Sequence, residues 1–152
     1  MPEIASELIA AFKRGNKVLI CGNGGSASQA QHFAAELMGR FEHDRPALPA
    51  LSLTTDTSVI TAIGNDLGFD YIFSRQVEGL GVKGDILIIL STSGGSLNCI
   101  EAEIAAKEKK MLVINFPTKK EMGYATTAQV QEYHLKLIHQ ICREVEGAFL
   151  EN

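Results

Sequence analysis

Four short, mostly apolar segments recur along the chain, and amphipathic stretches separate them. These segments are KVLIC (17–21), ALSLT (50–54), DILIIL (85–90) and MLVIN (111–115). Strands that are apolar along their whole length are buried on both faces, which is typical of parallel sheets covered by helices. The alternation of such strands with helices predicts an α/β fold, a three-layer α/β/α sandwich around a central parallel sheet.

The amphipathic stretches between these strands are predicted to be helices. They cover residues 3–14, 26–40, 57–63, 71–80, 97–109 and 127–150. A chain of 152 residues is long enough to bury a substantial core, so we expect a single domain over 1–152.

The composition argues against several classes of partner. The net charge is −4 and the only lysine pairs are isolated, so no basic surface for nucleic acid is expected. No apolar run approaches the roughly 18 residues of a membrane span, and no secretory signal pattern opens the chain. Cys21, Cys99 and Cys142 are widely spaced, as expected for reduced core cysteines of a cytoplasmic protein.

Two turns rich in glycine and serine follow the first and third predicted strands. GNGGS occupies 22–26 and STSGGS occupies 91–96, each at the start of a predicted helix. Helix N-termini favour anions, and backbone amides together with hydroxyls can bind a phosphate without lysine or arginine. An ordinary capping turn needs only one serine, so the four hydroxyls of the second turn favour a phosphate site. GNGGS matches neither the dinucleotide fingerprint nor the Walker loop.

The helix predicted over 26–40 has an apolar face and a polar face. Ala30, Phe33, Ala34, Leu37 and Phe41 are expected to face the sheet, whereas Gln29, His32, Glu36 and Arg40 lie on nearly the opposite side. One interpretation is a solvated face with a Glu36–Arg40 ion pair. The functional interpretation requires another element, the terminal helix or a neighbouring subunit, to cover this face.

The terminal helix combines an apolar stripe with unusual polar residues. The predicted stripe is Leu135, Ile138, Cys142, Val145 and Phe149. Gln131 falls inside it, His139 lies at its edge and His134 lies on the other flank. A metal site could use His32, Glu36, Gln131 and one of these two histidines. Spacing does not select between them, because Gln131 is one turn from His134 and about 12 Å along the axis from His139.

Four segments together resemble the sugar isomerase (SIS) domain family and, within it, the phosphoheptose isomerases. They are CGNGGSASQAQHFAAEL, GRFEHDRPALPALSLTTDTSVITAIGNDLGFDYIFSRQV, GDILIILSTSGGS and VQEYHLKLIH. The resemblance implies a flavodoxin-like SIS fold with helical N- and C-terminal segments. It also implies a cytoplasmic homotetramer with active sites at subunit interfaces and one zinc ion per subunit.

The resemblance further implies a reaction and its residues. The reaction is the aldose–ketose isomerisation of D-sedoheptulose 7-phosphate to D-glycero-D-manno-heptose 7-phosphate, the first step toward the heptose of bacterial lipopolysaccharide. By matching position, the implied zinc ligands are His32, Glu36, Gln131 and His139. The implied substrate contacts are Asn23, Gly24, Gly25, Glu36, Asn65, Asp66, Ser91, Thr92, Ser93, Ser96 and Gln131. Glu36 and His139 are the implied catalytic residues.

These residue types suit isomerisation through an enediol. A base removes the proton from the carbon beside the carbonyl and an acid serves the oxygen, and a carboxylate and an imidazole can divide these roles. A divalent ion can polarise the carbonyl. We assign Glu36 as the base, although binding a metal would lower its basicity, so its two implied roles compete.

The chain departs from the family in two places. Members of the family have a longer helical N-terminal segment than residues 1–14, and a loop, a helix and a final strand between the fourth strand and the terminal helix. Here only residues 116–127 bridge that interval. Either the sequence omits segments of the protein or its sheet lacks an edge strand.

Two other functions are compatible with an SIS fold. One is a non-catalytic tetrameric protein of the replication-initiator-associating type, and the other is a sugar-phosphate-sensing module of a regulator. A binding module has no need for the set His32, Glu36, Gln131 and His139, so this set favours the enzyme.

Overall fold

A computed structural model describes residues 2–150, and Met1, Glu151 and Asn152 of the predicted domain lie outside the described residues. The elements are α1 (Pro2–Lys13), β1 (Val18–Gly22), α2 (Gly25–Met38), β2 (Ala50–Ser52), α3 (Thr57–Asp66), α4 (Ser74–Leu80), β3 (Ile86–Leu90), α5 (Leu97–Glu108), β4 (Leu112–Asn115) and α6 (Thr127–Gly147). All ten predicted elements are confirmed. Their ends differ by a few residues; for example, a short 3₁₀ turn, Phe69–Tyr71, precedes α4, which begins later than predicted.

Within the described residues the sheet is parallel, with the strand order β2-β1-β3-β4. β1 and β3 are its two central strands and are buried at every position. Their register pairs Gly22 with Leu90, so both glycine-serine turns leave the sheet at the same edge. In open α/β sheets ligands bind at this carboxyl edge.

The two faces of the sheet are covered by different helices, which confirms the three-layer sandwich. Alternate residues of each central strand point to opposite sides. On one side Val18 and Ile20 share a core with α1, α2 and α6. On the other side Leu19 and Cys21 share a core with α4 and α5. Helices α2 and α6 are therefore neighbours on one face of the sheet.

The buried stripe of α6 is rotated relative to the prediction. Ile138, Cys142 and Val145 are buried as expected, but Leu135 and Phe149 are only partly buried. The remaining buried positions are Val130, His134, Leu137, Ile141 and Glu146. Two polar side chains lie in this stripe because each has buried partners, and sequence periodicity does not reveal such partners.

His134 is therefore a core residue rather than a flank residue. Its Nε2 lies 2.7 Å from the carbonyl oxygen of Pro117, and its ring meets the edge of Phe116. Since a carbonyl only accepts, Nε2 carries the proton and the buried Nδ1 has no partner among the described residues. Burial lowers the pKa of His134 and outweighs the opposing effect of the Pro117 hydrogen bond. His134 anchors the short connection between β4 and α6.

That connection also contacts the second turn. The backbone N–H of Lys119 donates to the carbonyl of Thr92, and a Cβ atom on Gly94 would lie 3.0 Å from the Thr118 side chain. The three cysteines are buried, as predicted. No helix in residues 2–150 is both long enough and apolar enough to span a membrane.

Candidate active site

The first turn follows β1 and favours glycine at two positions. A Cβ atom on Gly22 would lie 2.9 Å from the carbonyl oxygen of Leu90, and Gly24 has a φ of 56°. A Cβ atom on Gly25 would lie 2.6 Å from Nε2 of Gln131, the end of a flexible side chain. The neighbouring strand excludes a side chain at Gly22, and the backbone conformation disfavours one at Gly24. The turn therefore exposes backbone where α2 begins.

The second turn uses its hydroxyls differently from a simple helix cap. Ser91 Oγ accepts from the N–H of Gly94 at 3.0 Å, and Ser93 Oγ accepts from the N–H of Gly95 at 3.1 Å. Ser96 is the N-cap residue of α5, yet its side chain caps no N–H group of the described helix. Each accepting Oγ retains an O–H that can donate. The capping interpretation thus leaves most of these hydroxyls unexplained.

An open cleft of about 430 Å³ lies between the two turns. Its lining residues are Asn23, Gly24, Phe69, Asp70, Ser96, Leu97 and Asn98. This volume is typical of small-molecule sites. Asn65 and Asp66 lie at the C-terminal end of α3, exposed and hydrogen-bonded to each other at 3.1 Å, outside this lining. Ser91 is buried and lines a smaller cavity beside Cys99 and Phe116.

A second group of polar residues lies where α2 faces α6. His32 Nε2 is 3.2 Å from His139 Nε2, and Glu36 Oε2 is 3.6 Å and 3.9 Å from these two nitrogen atoms. The three side chains remain between 24% and 43% exposed, so a ligand can reach them. The polar face of α2 is thus partly covered by the terminal helix of the same chain.

The geometry of this group fits a metal. One ligand atom from each residue lies within 4.8 Å of the others. Two ligands bound at about 2.0–2.1 Å to a tetrahedral zinc ion are roughly 3.3 Å apart, close to the 3.2 Å between the imidazole nitrogens. Two histidines and a glutamate with an open fourth position are a known ligand set of catalytic zinc.

Gln131 lies apart from this group along the helices. Its side-chain amide contacts Gly25, which is seven residues, or about 10 Å along the α2 axis, before His32. Gln29 Nε2 donates to the backbone carbonyl of Gln131 at 2.8 Å and so joins the N-terminal part of α6 to α2. The buried Oε1 of Gln29 has no partner among the described residues.

The comparisons with known proteins agree with this architecture. The family model of the SIS domain matches residues 2–117. Phosphoheptose isomerase from Campylobacter concisus is 49% identical over 160 residues, which cover 97% of this chain and 85% of the relative. The solved phosphoheptose isomerase of Neisseria gonorrhoeae is 44% identical with a TM-score of 0.86, covering 95% of this chain and 83% of that one. That of Francisella tularensis is 36% identical with a TM-score of 0.87, covering 96% and 84%.

This chain belongs to the phosphoheptose isomerase family of SIS-domain proteins. The predicted family and fold class are thereby confirmed.

Two further residues hold in place the face of α2 that carries His32 and Glu36 in this member of the phosphoheptose isomerase family. Arg45 is 1% exposed and donates to the backbone carbonyls of Glu36 and Leu37. Its partner Glu146, on α6, accepts from the Arg45 guanidinium at 3.2 Å. Burial alone would raise the pKa of Glu146, but this charge and three backbone N–H donors in residues 41–43 outweigh it and lower the pKa. Sequence reasoning missed this pair.

Phe41 and Arg143 border the histidine pair. The Phe41 ring stacks on His139 with centroids 5.4 Å apart, and the Arg143 guanidinium lies 5.5 Å from the Phe41 centroid. Arg143 also donates to Glu42 at 2.8 Å. The His139 ring therefore packs against Phe41 as well as His32. Phe41 was expected to face the sheet, and its partly buried ring does pack against that core.

Proposed function

We propose that the chain isomerises D-sedoheptulose 7-phosphate to D-glycero-D-manno-heptose 7-phosphate in the cytoplasm, toward lipopolysaccharide heptose. The group formed by His32, Glu36 and His139 is the observation that carries this proposal, because a binding module has no use for clustered proton carriers. The family name of the relatives supports the same reaction.

Glu36 and His139 divide the proton transfers in this proposal. Glu36 removes the proton from the carbon beside the carbonyl and returns it to the neighbouring carbon, while His139 donates to and accepts from the substrate oxygens. Zinc bound by His32, Glu36 and His139 would polarise the substrate carbonyl. His32 contacts both other residues, so it fixes their separation.

The hydroxyls of the second turn bind the phosphate. Ser91 and Ser93 each retain an O–H donor, and Ser96 stands free at the start of α5. The first turn shapes the sugar end of the open cleft, which Asn23 and Gly24 line and which Gly25 follows in sequence. Thr92, Asn65 and Asp66 are assigned as further substrate contacts by their match to the family pattern.

We infer that the two halves of this site come from different subunits, because they are well separated along α2 within one chain. Glu36 is eleven residues beyond Gly25, about 16 Å along the α2 axis. Seven bonds separate C2 of the substrate from its phosphorus, about 8 Å at the rise per bond of an extended chain. We infer that the turns of one subunit meet the His32–Glu36–His139 group of another in a homotetramer.

The same reasoning applies to the fourth zinc ligand. Gln131 and His139 are eight residues apart on α6, about 12 Å along the axis. Gln131 would therefore reach the metal of a neighbouring subunit rather than that of its own.

Turnover of sedoheptulose 7-phosphate by metal-free protein, with and without added zinc, tests the reaction. We expect isomerisation that rises to a plateau near one zinc per chain. Absence of turnover at every zinc concentration would overturn the proposed function. Full activity of demonstrably metal-free protein would overturn the zinc assignment alone.

Complementation between variants tests the shared site. Chains carrying Glu36→Gln are co-expressed with chains carrying both Ser93→Ala and Ser96→Ala, and activity is measured below the KM of the serine variant. If the two chains mix at random and the site is shared between subunits, about a quarter of the sites contain only wild-type residues. If the site lies within one chain, no site does. Co-expression of Glu36→Gln with His139→Gln is the matched control. Because both changes damage the same group, no recovery is expected there.

A further inference from the structure

Asn23 and Asn98 form a closed pair of amides beneath the cleft. Asn98 Nδ2 donates to Asn23 Oδ1 at 2.8 Å, and Asn23 Nδ2 donates to Asn98 Oδ1 at 2.8 Å. Asn98 is 3% exposed and belongs to the first turn of α5. Asn23 belongs to the turn that follows β1. The pair thus joins the two turns that line the cleft.

This pairing uses up the donors of the Asn23 side chain. An amide nitrogen has two hydrogens. One is directed at Asn98 Oδ1, and Cys99 Sγ lies 3.8 Å from the same nitrogen. A substrate on this turn therefore meets backbone rather than the Asn23 amide. Gly24 leaves that backbone open, since a Cβ atom there would have no neighbour within 4 Å among the described residues.

We propose that Asn98 is a positioning residue for the substrate, because it holds the Asn23–Gly25 turn at a fixed distance from the serine turn. Asn98 acts through Asn23 and makes no contact with the substrate itself. The pair sets the separation between the group that binds the phosphate and the backbone that binds the sugar. This inference rests on the proposed function.

A double-mutant cycle with Asn23→Ala, Asn98→Ala and the double variant tests this role. We expect each single change to raise KM for sedoheptulose 7-phosphate about tenfold, with kcat within about threefold, because the turn binds ground state and transition state alike. KM of the double variant should be no higher than that of either single variant, since each single change already removes the Asn23–Asn98 hydrogen bonds. Effects that multiply, or an Asn98→Ala variant with wild-type KM, would overturn the proposal.

Asn16→Ala is the matched control for a purely structural role. Asn16 also joins β1 to the segment before β3 through a side-chain hydrogen bond, to Asp85 at 2.8 Å, but at the opposite edge of the sheet. Its loss should lower the unfolding temperature and leave KM unchanged. If Asn98→Ala does not fold, Asn98→Asp fills nearly the same space, loses the donor to Asn23 and adds a negative charge, so a raised KM is still expected. A wild-type KM in Asn98→Asp would then overturn the proposal. Absence of turnover by the wild-type protein would instead refute the proposed function.

Discussion

The polar groups at the two ends of β1 and β3 are hydrogen-bonded in different ways. At the amino end the carboxylate of Asp85 accepts from the Asn16 side chain, the Lys17 ammonium group and the backbone N–H groups of Lys17 and Val82. The residue is fully buried. Burial would raise the pKa of Asp85, but these donors outweigh it and lower the pKa. Every oxygen of this carboxylate is satisfied by the protein.

At the carboxyl end the amides of Asn23 and Asn98 are paired with each other, but the serine hydroxyls and the turn backbone keep free donors. The serines of the second turn accept hydrogen bonds and keep their own donors, and the turn after β1 exposes backbone. Polar groups that the protein satisfies stabilise the fold, whereas groups left with free donors remain available to water or to a ligand. Substitutions at the amino end should therefore change stability, and those in the proposed site should change turnover.

The largest expected effect comes from Glu36→Gln. The variant keeps the shape of the side chain and removes the base, so kcat should fall by about 10²–10⁴-fold. The unfolding temperature and the oligomer should be unchanged. Steady-state kinetics together with thermal unfolding measure both quantities, and Glu144→Gln, at an exposed position of α6, is the control. Unchanged turnover would show that Glu36 is not the base.

Asp85→Ala should produce the reverse pattern. Removing this carboxylate leaves the buried donors without a partner and should lower the free energy of unfolding by about 3 kcal/mol. Activity per folded molecule should stay the same. Because the pKa of Asp85 is lowered in the folded protein, wild-type stability should also decline as the pH falls below about 4, the unfolded value. Urea denaturation measures the stability loss in Asp85→Ala and the pH dependence of the wild-type protein. A changed KM in Asp85→Ala would contradict the idea that this end of the sheet affects only stability.

Ser93→Ala combined with Ser96→Ala should act on binding. Hydrogen bonds to a charged group contribute about 1.5–3 kcal/mol, so KM should rise at least tenfold, with a smaller change in kcat. Ser58→Ala, at an exposed position of α3, is the control. An unaltered KM in the double variant would show that the phosphate does not bind at this turn.

The smallest effect is the pH dependence contributed by His134. Burial lowers the pKa of His134 in the folded protein, so the unfolded chain binds a proton at higher pH than the folded one. Stability should therefore decrease as the pH falls below about 6.5. Denaturation midpoints between pH 5 and 8 measure this slope, which should flatten in His134→Gln and persist in His43→Gln, an exposed position. An identical pH dependence of the denaturation midpoint in both variants would show that His134 does not cause it.

The fold was predictable because each central strand is apolar along its length and apolar residues recur along each helix with helical spacing. The two turns were predictable for the same reason, since residues that end a strand and begin a helix are local features. Asn98 gave no such signal. Its burial depends on Asn23, 75 positions away, and an asparagine in a first helical turn is usually exposed.

The choice between His134 and His139 shows the same limit. Both lie near the apolar stripe of α6, and helical spacing alone leaves either one available. A small rotation of the helix turns His134 toward Pro117 and His139 toward His32. That rotation depends on packing against α1, α2 and the sheet, including the buried contact of Glu146 with residues 41–43.

The sequence by itself determined the order of strands and helices, the family and the two turns at the carboxyl edge of the sheet. Periodicity and turn chemistry are local, so they can be read from neighbouring residues. Tertiary structure alone decided which histidine meets Glu36, that Gln131 lies beside Gly25, and that the amide of Asn23 is taken by Asn98. These are contacts between distant segments, and their partners become visible only when the layers pack.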